Sequence, residues 1–195
     1  MSLLCCDMNG RELIIGVTGG VAAFKTAALV SQLVQAGAGV TVVMTAAAER
    51  FVGRTTFAAL TGRKVVTELF DDAEFPLGSH IALAERAELL CIAPATANFL
   101  AESAIGLAND VLGTLMLSFR GPVMLAPAMN SAMWAKPSTQ RNVAQLRADG
   151  IKIIDPEEGW LSCRQVGAGR MAAPDRILYN IIETLTTTPS LPRPD

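Results

Sequence analysis

The sequence predicts an α/β fold in which one domain contains a doubly wound parallel sheet. Short, β-branched apolar segments alternate with helical segments, and each apolar segment ends at a turn signal or a proline. Strands that are apolar throughout are typical of a parallel sheet with helices on both faces. With 51% apolar and 17% charged residues, the 195-residue chain can also fill one core. We therefore expect a three-layer sandwich of helices, sheet and helices.

The first half of the chain contains two strands and the helices that follow them. We predict strands at residues 12–17 and 40–44, because both are short β-branched apolar runs. A helix is predicted at residues 21–35, between the Thr18-Gly19-Gly20 turn and Gly37. Thr45 is a candidate N-cap for a short helix that ends near Phe51. The next segments are predicted to be a helix (55–60), a brief strand (64–67) and a loop (71–79).

The second half repeats this alternation. Strands are predicted at residues 89–93 and 123–126, ended by Pro94 and Pro127, and at residues 151–154. The predicted helices span residues 96–105, 109–119, 137–149 and 175–185. Residues 157–171 are predicted to be a glycine-rich loop that is too long for a simple connection. The predicted domain spans residues 11–186, between disordered tails at 1–10 and 187–195. This pattern is typical of a Rossmann- or flavodoxin-like fold.

Composition argues against several classes of function. A net charge of −2 leaves no basic excess for nucleic acid or for an anionic membrane. We see no secretion signal and no apolar run long enough to span a bilayer. Four cysteines without metal-ligand spacing, and one histidine, argue against a metal site and favour a reducing, cytoplasmic compartment. The high apolar content favours burial of surface between subunits.

The most unusual segments all follow predicted strands, so they are expected at the carboxyl edge of the sheet, where ligands bind. Gly19 and Gly20 let the backbone approach an anion at a helix N-terminus, and Thr18 adds a hydroxyl. The G-x-G-x-x-G spacing of dinucleotide sites is absent, which favours a single phosphate. An ordinary tight turn explains this feature equally well.

Two further segments supply polar groups. Residues 94–98 combine small residues with Thr96 and Asn98, although Thr96 is also explained as a helix N-cap. In residues 127–134, Asn130 offers two donors and an acceptor that suit a carboxylate or the polar edge of a flat ring. The neighbouring methionines and Trp134 are explained as packing.

His80 and Cys163 are the remaining candidates for chemistry. His80 lies at a boundary between loop and helix, where a lone histidine is more often a surface residue than a catalyst. Cys163 lies in the glycine-rich segment, which is either a mobile flap or a loop with an incidental cysteine. Cys91, in a core strand, is predicted to serve packing alone.

Taken together, these segments resemble the homo-oligomeric flavin-containing cysteine decarboxylases. PAMNSAMW at residues 127–134 matches the PxMNxxMW motif of that family, and PATAN at 94–98 looks like its PASANT motif. GVTGGVAAFK at 16–25 is similar to its phosphate turn, and GSHI at 78–81 to the segment with its catalytic histidine. The resemblance runs from about residue 14 to about residue 178.

The resemblance implies an FMN cofactor, and a site built between neighbouring subunits of a homotrimer or a dodecamer. Catalytic roles are implied for His80, Cys163 and Asn130, and substrate contacts for Asn130, Ser162, Cys163 and Met171. The implied cofactor-binding residues are Gly19, Gly20, Val21, Thr45, Thr96, Ala97, Asn98 and Ala128.

Cys163 and the following GAGRM resemble the phosphopantothenoylcysteine branch of the family, which acts in coenzyme A biosynthesis. The resemblance implies that the thiol-bearing carbon is oxidised before carbon dioxide leaves, that His80 handles the thiol proton, and that Cys163 later protonates carbon. The alternatives are the peptidyl-cysteine branch, which needs no such acid, and a non-catalytic regulatory relative. Three residues depart from the family pattern: Gly20 replaces a common Ser, Phe99 a Thr and Arg164 a Gly.

Overall fold

The computed structural model describes residues 8–70 and 78–187, in which a five-stranded parallel sheet carries helices on both faces. The order of its strands is β2-β1-β3-β4-β5. The strands are β1 (Glu12–Val17), β2 (Gly39–Met44), β3 (Leu89–Ala95), β4 (Val123–Pro127) and β5 (Lys152–Ile153). This is the flavodoxin-like order of a doubly wound sheet, so the predicted fold class is confirmed. Predictions for residues 1–7, 71–77 and 188–195 lie outside the described residues.

The helices divide between the two faces of the sheet. Leu13 and Ile15 of β1 pack in one apolar cluster, whereas Ile14 packs in the other, because successive strand residues point to opposite faces. Helices α1 (Ala23–Gln35), α2 (Arg54–Thr61) and α8 (Pro174–Thr187) contribute to the first cluster. Helices α3 (Ser79–Arg86), α4 (Ala97–Ala104), α5 (Val111–Ser118) and α7 (Pro137–Ala148) contribute to the second. A 3-10 helix (Ala48–Arg50) and α6 (Ser131–Trp134) are single short turns.

One prediction about a strand end was wrong. β3 continues through Pro94 to Ala95, whereas β4 ends at Pro127, one residue beyond its predicted end. A proline lacks the N–H group but keeps its carbonyl, and that of Pro94 accepts from the backbone amide of Thr18 at 3.3 Å. The strand predicted at residues 64–67 is reduced to one parallel bridge between Val66 and Val43.

The predicted glycine-rich loop at residues 157–171 is instead an antiparallel hairpin of β6 (Glu157–Trp160) and β7 (Val166–Arg170). Glycines within both strands hide the alternation that would have predicted them. The connecting turn is closed by the amide of Arg164, which donates to Leu161 O at 2.9 Å. Arg164 has a φ of 64°, in the left-handed region that favours glycine. The hairpin is the element that the sequence analysis missed.

No helix in the two described ranges is long and apolar enough to cross a bilayer. The cytoplasmic location expected from composition stays a prediction.

Candidate functional site

A cavity of about 940 Å³ opens at the carboxyl ends of β1 to β4, with the hairpin along one side. This volume lies within the range of about 300–1,000 Å³ that is usual for small-molecule sites. Most of the residues predicted for the site line it, although they come from five separate segments of the chain. They are Gly19, Gly20, Val21, Thr45, Thr96, Ala97, Asn98, Ala128, Asn130, Ser162 and Met171. His80 and Cys163 are not among its lining residues.

Thr18 closes the floor of the cavity between β1 and β3, where the order of strands reverses. Its hydroxyl donates to Pro94 O at 2.7 Å and accepts from the Thr96 amide at 3.0 Å. The side chain is buried, and these two partners occupy its hydroxyl. The prediction that Thr18 offers a hydroxyl to an anion was therefore wrong; Thr18 joins the ends of the two strands instead.

Free backbone amides lie just before α1 and just before the 3-10 helix that follows β2. Within the described residues, the amides of Val21, Ala22, Ala46 and Ala47 donate no hydrogen bond, and all four residues line the cavity. Gly19 allows the two turns to meet, because a Cβ there would collide with the Ala47 side chain. Unpaired amides at a helix N-terminus are a favourable environment for a phosphate. This part of the cavity therefore fits the single phosphate of FMN.

The start of α4 forms a second wall. Thr96 caps the helix, as predicted, because its Oγ1 accepts from the Phe99 amide at 3.3 Å. The carboxamide of Asn98 lines the cavity and makes no hydrogen bond within the described part of the chain. Phe99 is buried in the second core cluster, so its ring replaces the hydroxyl of the family pattern with apolar packing. Asn98 is the free polar group of this wall.

Asn130 lies between β4 and α6, and the two ends of its carboxamide have different surroundings. Its Oδ1 accepts from the Met133 amide at 2.8 Å and so caps α6. Its Nδ2 group has no partner among the described residues, and Asn130 is an exposed residue of the cavity wall. Because the acceptor is occupied, the group that remains for a ligand is a pair of N–H donors. Such a pair suits a carboxylate.

Two cations that the sequence analysis did not assign to the cavity also line it. Lys25 lies in the first turn of α1 and Arg170 at the end of β7, and neither forms an ion pair within the described ranges. Burial lowers the pKa of Lys25 and the nearby Arg170 guanidinium lowers it further, while the Glu157 carboxylate partly offsets both effects. An anion bound beside them would relieve this repulsion. Lys25 ends the GVTGGVAAFK motif. Its place in the first turn of the helix that follows this motif was the feature of the sequence that could have assigned it to the cavity.

The thiols of Cys163 and Cys91 and the imidazole of His80 differ in their surroundings. Cys163 is exposed at the hairpin turn. Cys91 is fully buried in β3, and burial raises the pKa of its thiol to about 12, which agrees with the predicted packing role. His80 is the second residue of α3, and its Nδ1 is buried without a hydrogen-bond partner among the described residues. The chain by itself therefore brings neither His80 nor Cys163 to the cavity wall.

Comparison with known families decides what kind of protein carries this cavity. The model of the flavoprotein family matches residues 5–186. This chain belongs to the flavoprotein family. The coenzyme A biosynthesis bifunctional protein CoaBC of Bacillus subtilis is 44% identical to this flavoprotein over 171 residues. The match covers 88% of this chain but only 42% of that protein, so the chain spans less than half the length of that relative.

Solved structures show the same architecture. The FMN-dependent cysteine decarboxylase SpaF is 35% identical to this flavoprotein, with a TM-score of 0.78, and the match covers 92% of this chain and 97% of SpaF. A PPC decarboxylase mutant complexed with pantothenoylaminoethenethiol is 27% identical, with a TM-score of 0.80. That match covers 91% of this chain and 99% of the decarboxylase.

Proposed function

We propose that this flavoprotein binds FMN and decarboxylates phosphopantothenoylcysteine, a step of coenzyme A biosynthesis. The observation that carries the proposal is that one cavity holds both a cradle of free amides and the free Nδ2 donors of Asn130. The first suits a phosphate and the second suits a carboxylate. The similarity to CoaBC and to the PPC decarboxylase supports this choice of substrate.

The residues present fit FMN. The amides of Val21, Ala22, Ala46 and Ala47 would hold its phosphate, while Asn98 would contact the polar edge of its ring. The other residues predicted to bind the cofactor would line the part of the cavity between its phosphate and its ring. They are Gly19, Gly20, Thr45, Thr96, Ala97 and Ala128. When bound, FMN supplies a hydride acceptor and donor, which amino-acid side chains lack.

The chain's own residues would orient the substrate and move its protons. Asn130 would direct its two Nδ2 hydrogens at the carboxylate, and the hairpin would cover the substrate and exclude water. Ser162, in the turn of the hairpin, and Met171, directly after β7, would contact the substrate. Cys163 lies at the hairpin turn, outside the cavity wall, so the turn would have to close over the substrate before this thiol could deliver a proton to the substrate carbon once carbon dioxide has left.

The substrate's own phosphate needs a positive counter-charge in the cavity. Lys25 and Arg170 line the cavity without an ion pair among the described residues. We assign them to the substrate's own phosphate, because a bound dianion would offset the repulsion between the two cations, which adds to the effect of burial in lowering the pKa of Lys25.

We further propose that the site is completed in a homotrimer, alone or within a dodecamer, by His80 of a neighbouring copy. Several apolar side chains at the rim of the cavity are 43–64% exposed, as expected of a surface that another subunit covers. They are Val21, Phe24, Met133 and Trp160. His80, which would accept the thiol proton, does not line the cavity of its own chain.

Complementation between subunits tests this arrangement. His80→Asn and Asn130→Asp variants are each expected to have little activity, but co-refolding equal amounts should restore activity. In a ring of random composition, about a quarter of the sites would combine two intact residues. If the mixture stays as inactive as its parents while an affinity tag on one variant also retains the other, which shows that the oligomers are mixed, His80 does not act across an interface.

A peptidyl-cysteine decarboxylase is the second candidate, because SpaF, at 35% identity, is an FMN-dependent cysteine decarboxylase without the link to coenzyme A that CoaBC carries in its name. Incubation of the purified protein with phosphopantothenoylcysteine, or with a peptide ending in cysteine, separates the two by product mass. The proposed function predicts loss of carbon dioxide from the first compound only, with FMN released on denaturation. Turnover of the peptide alone would establish the second candidate, and a different released chromophore would refute the cofactor assignment.

A further inference from the structure

Strand β7 lies directly against the segment that carries Asn130. The Met129 amide donates to Gly169 O at 2.9 Å, which joins the hairpin to the end of β4. Gly169 is buried and has a φ of 123°, a conformation that side chains rarely adopt. The two backbones therefore touch along one edge of the cavity.

The contact leaves no room for a side chain at Gly169. A Cβ there would collide with the carbonyl oxygen of Met129 and would lie 3.3 Å from the carbonyl carbon of Asn130. Both atoms belong to the backbone, so they cannot move away by a change of rotamer. The peptide that precedes Asn130 would have to shift.

A shift of that peptide would reach the chemistry through Asn130. The Asn130 side chain is held by its own cap on α6, so its Nδ2 group moves with the backbone of residues 129–133. We propose that Gly169 is a positioning residue that sets the Asn130 carboxamide against the substrate carboxylate. The inference rests on the proposed function, because it takes Asn130 as the carboxylate ligand.

The test compares Gly169→Ala with Gly150→Ala. Gly150 also has a positive φ, 85°, but a Cβ there meets nothing within 4 Å, so this variant isolates the backbone penalty. Misplacement of a reacting group by about 1 Å can cost about 10²-fold in rate, and we expect a loss of this order in kcat for Gly169→Ala. FMN affinity should be unchanged, and Gly150→Ala should keep wild-type kcat. Equal kcat in the two variants would overturn the proposal.

A double-mutant cycle shows whether the effect passes through Asn130. If it does, adding Gly169→Ala to Asn130→Ser should lower kcat little further, because the positioned group is already gone. Independent, multiplicative losses would overturn the proposal. If the wild-type protein decarboxylates neither test compound, the proposed function fails instead. A crystal structure of Gly169→Ala then still decides the positioning, since an unmoved Asn130 carboxamide would refute it.

Discussion

Replacing Asn130 with aspartate separates the two functions of that side chain. The acceptor that caps α6 is kept, because a carboxylate oxygen can take the place of Oδ1, 2.8 Å from the Met133 amide. Asn and Asp are equally good N-caps, so the fold should keep its stability. The pair of Nδ2 donors is lost, and a negative charge takes its place. The substitution thus changes only the group that we propose to bind the substrate carboxylate.

The expected size of the effect follows from two contributions. A hydrogen bond to a charged group contributes about 1.5–3 kcal/mol. Two carboxylates about 4 Å apart repel by about 4 kcal/mol at the effective dielectric constant of a protein surface. Since each 1.4 kcal/mol is about a factor of ten, kcat/KM should fall by at least about 10³-fold. Asn130→Ser keeps a capping oxygen and adds no charge, so its loss should be about 10–100-fold.

The assay is kcat/KM from product mass with phosphopantothenoylcysteine, alongside thermal unfolding and FMN titration of each variant. The expected order of activity is wild type, then serine, then aspartate, with similar melting temperatures and FMN affinities. An aspartate variant within tenfold of wild type, or more active than the serine variant, would refute the assignment of Nδ2 to a carboxylate.

Three further predictions concern the two ends of the cavity and the hairpin. Gly20→Ser should tighten FMN binding by about fivefold, because one added hydrogen bond contributes about 1 kcal/mol. There is room for the side chain, since a Cβ at this position meets only Thr96 and Pro94, at 3.7 and 3.8 Å. Gly19→Ala should weaken FMN binding, because its Cβ would collide with Ala47. Equal FMN affinities of the two variants would contradict this prediction. Lys25 has a lowered pKa, so it loses its proton at a lower pH than a free lysine, and KM for the phosphorylated substrate should rise with alkaline pH. Lys25→Gln should raise KM at neutral pH and remove that rise, and an unchanged pH profile would exclude Lys25 from the phosphate site. Cys163→Ser should still bind FMN and release carbon dioxide, but its product should be two hydrogens lighter, because loss of a proton donor costs about 10²–10⁴-fold in the later step. Normal product at the wild-type rate would make the cysteine incidental.

The sequence by itself was sufficient to predict the fold and most of the cavity wall. Apolar runs bounded by turn residues marked β1 to β4, and in a parallel sheet the segments that follow such strands must meet at one edge. That is why Gly19, Thr45, Asn98 and Asn130 were found together without any knowledge of contacts. Thr96 was also predicted correctly as a cap, because capping depends on local sequence.

Tertiary structure alone decided which atoms of those residues remain free. Thr18 was expected to offer its hydroxyl, but Pro94 and Thr96, which are distant in sequence, occupy it. The free Nδ2 of Asn130 depends on the direction of its Oδ1 bond, and the hairpin depends on the pairing of β6 with β7. Local pattern cannot reveal such choices, because they arise from partners that only folding brings into contact.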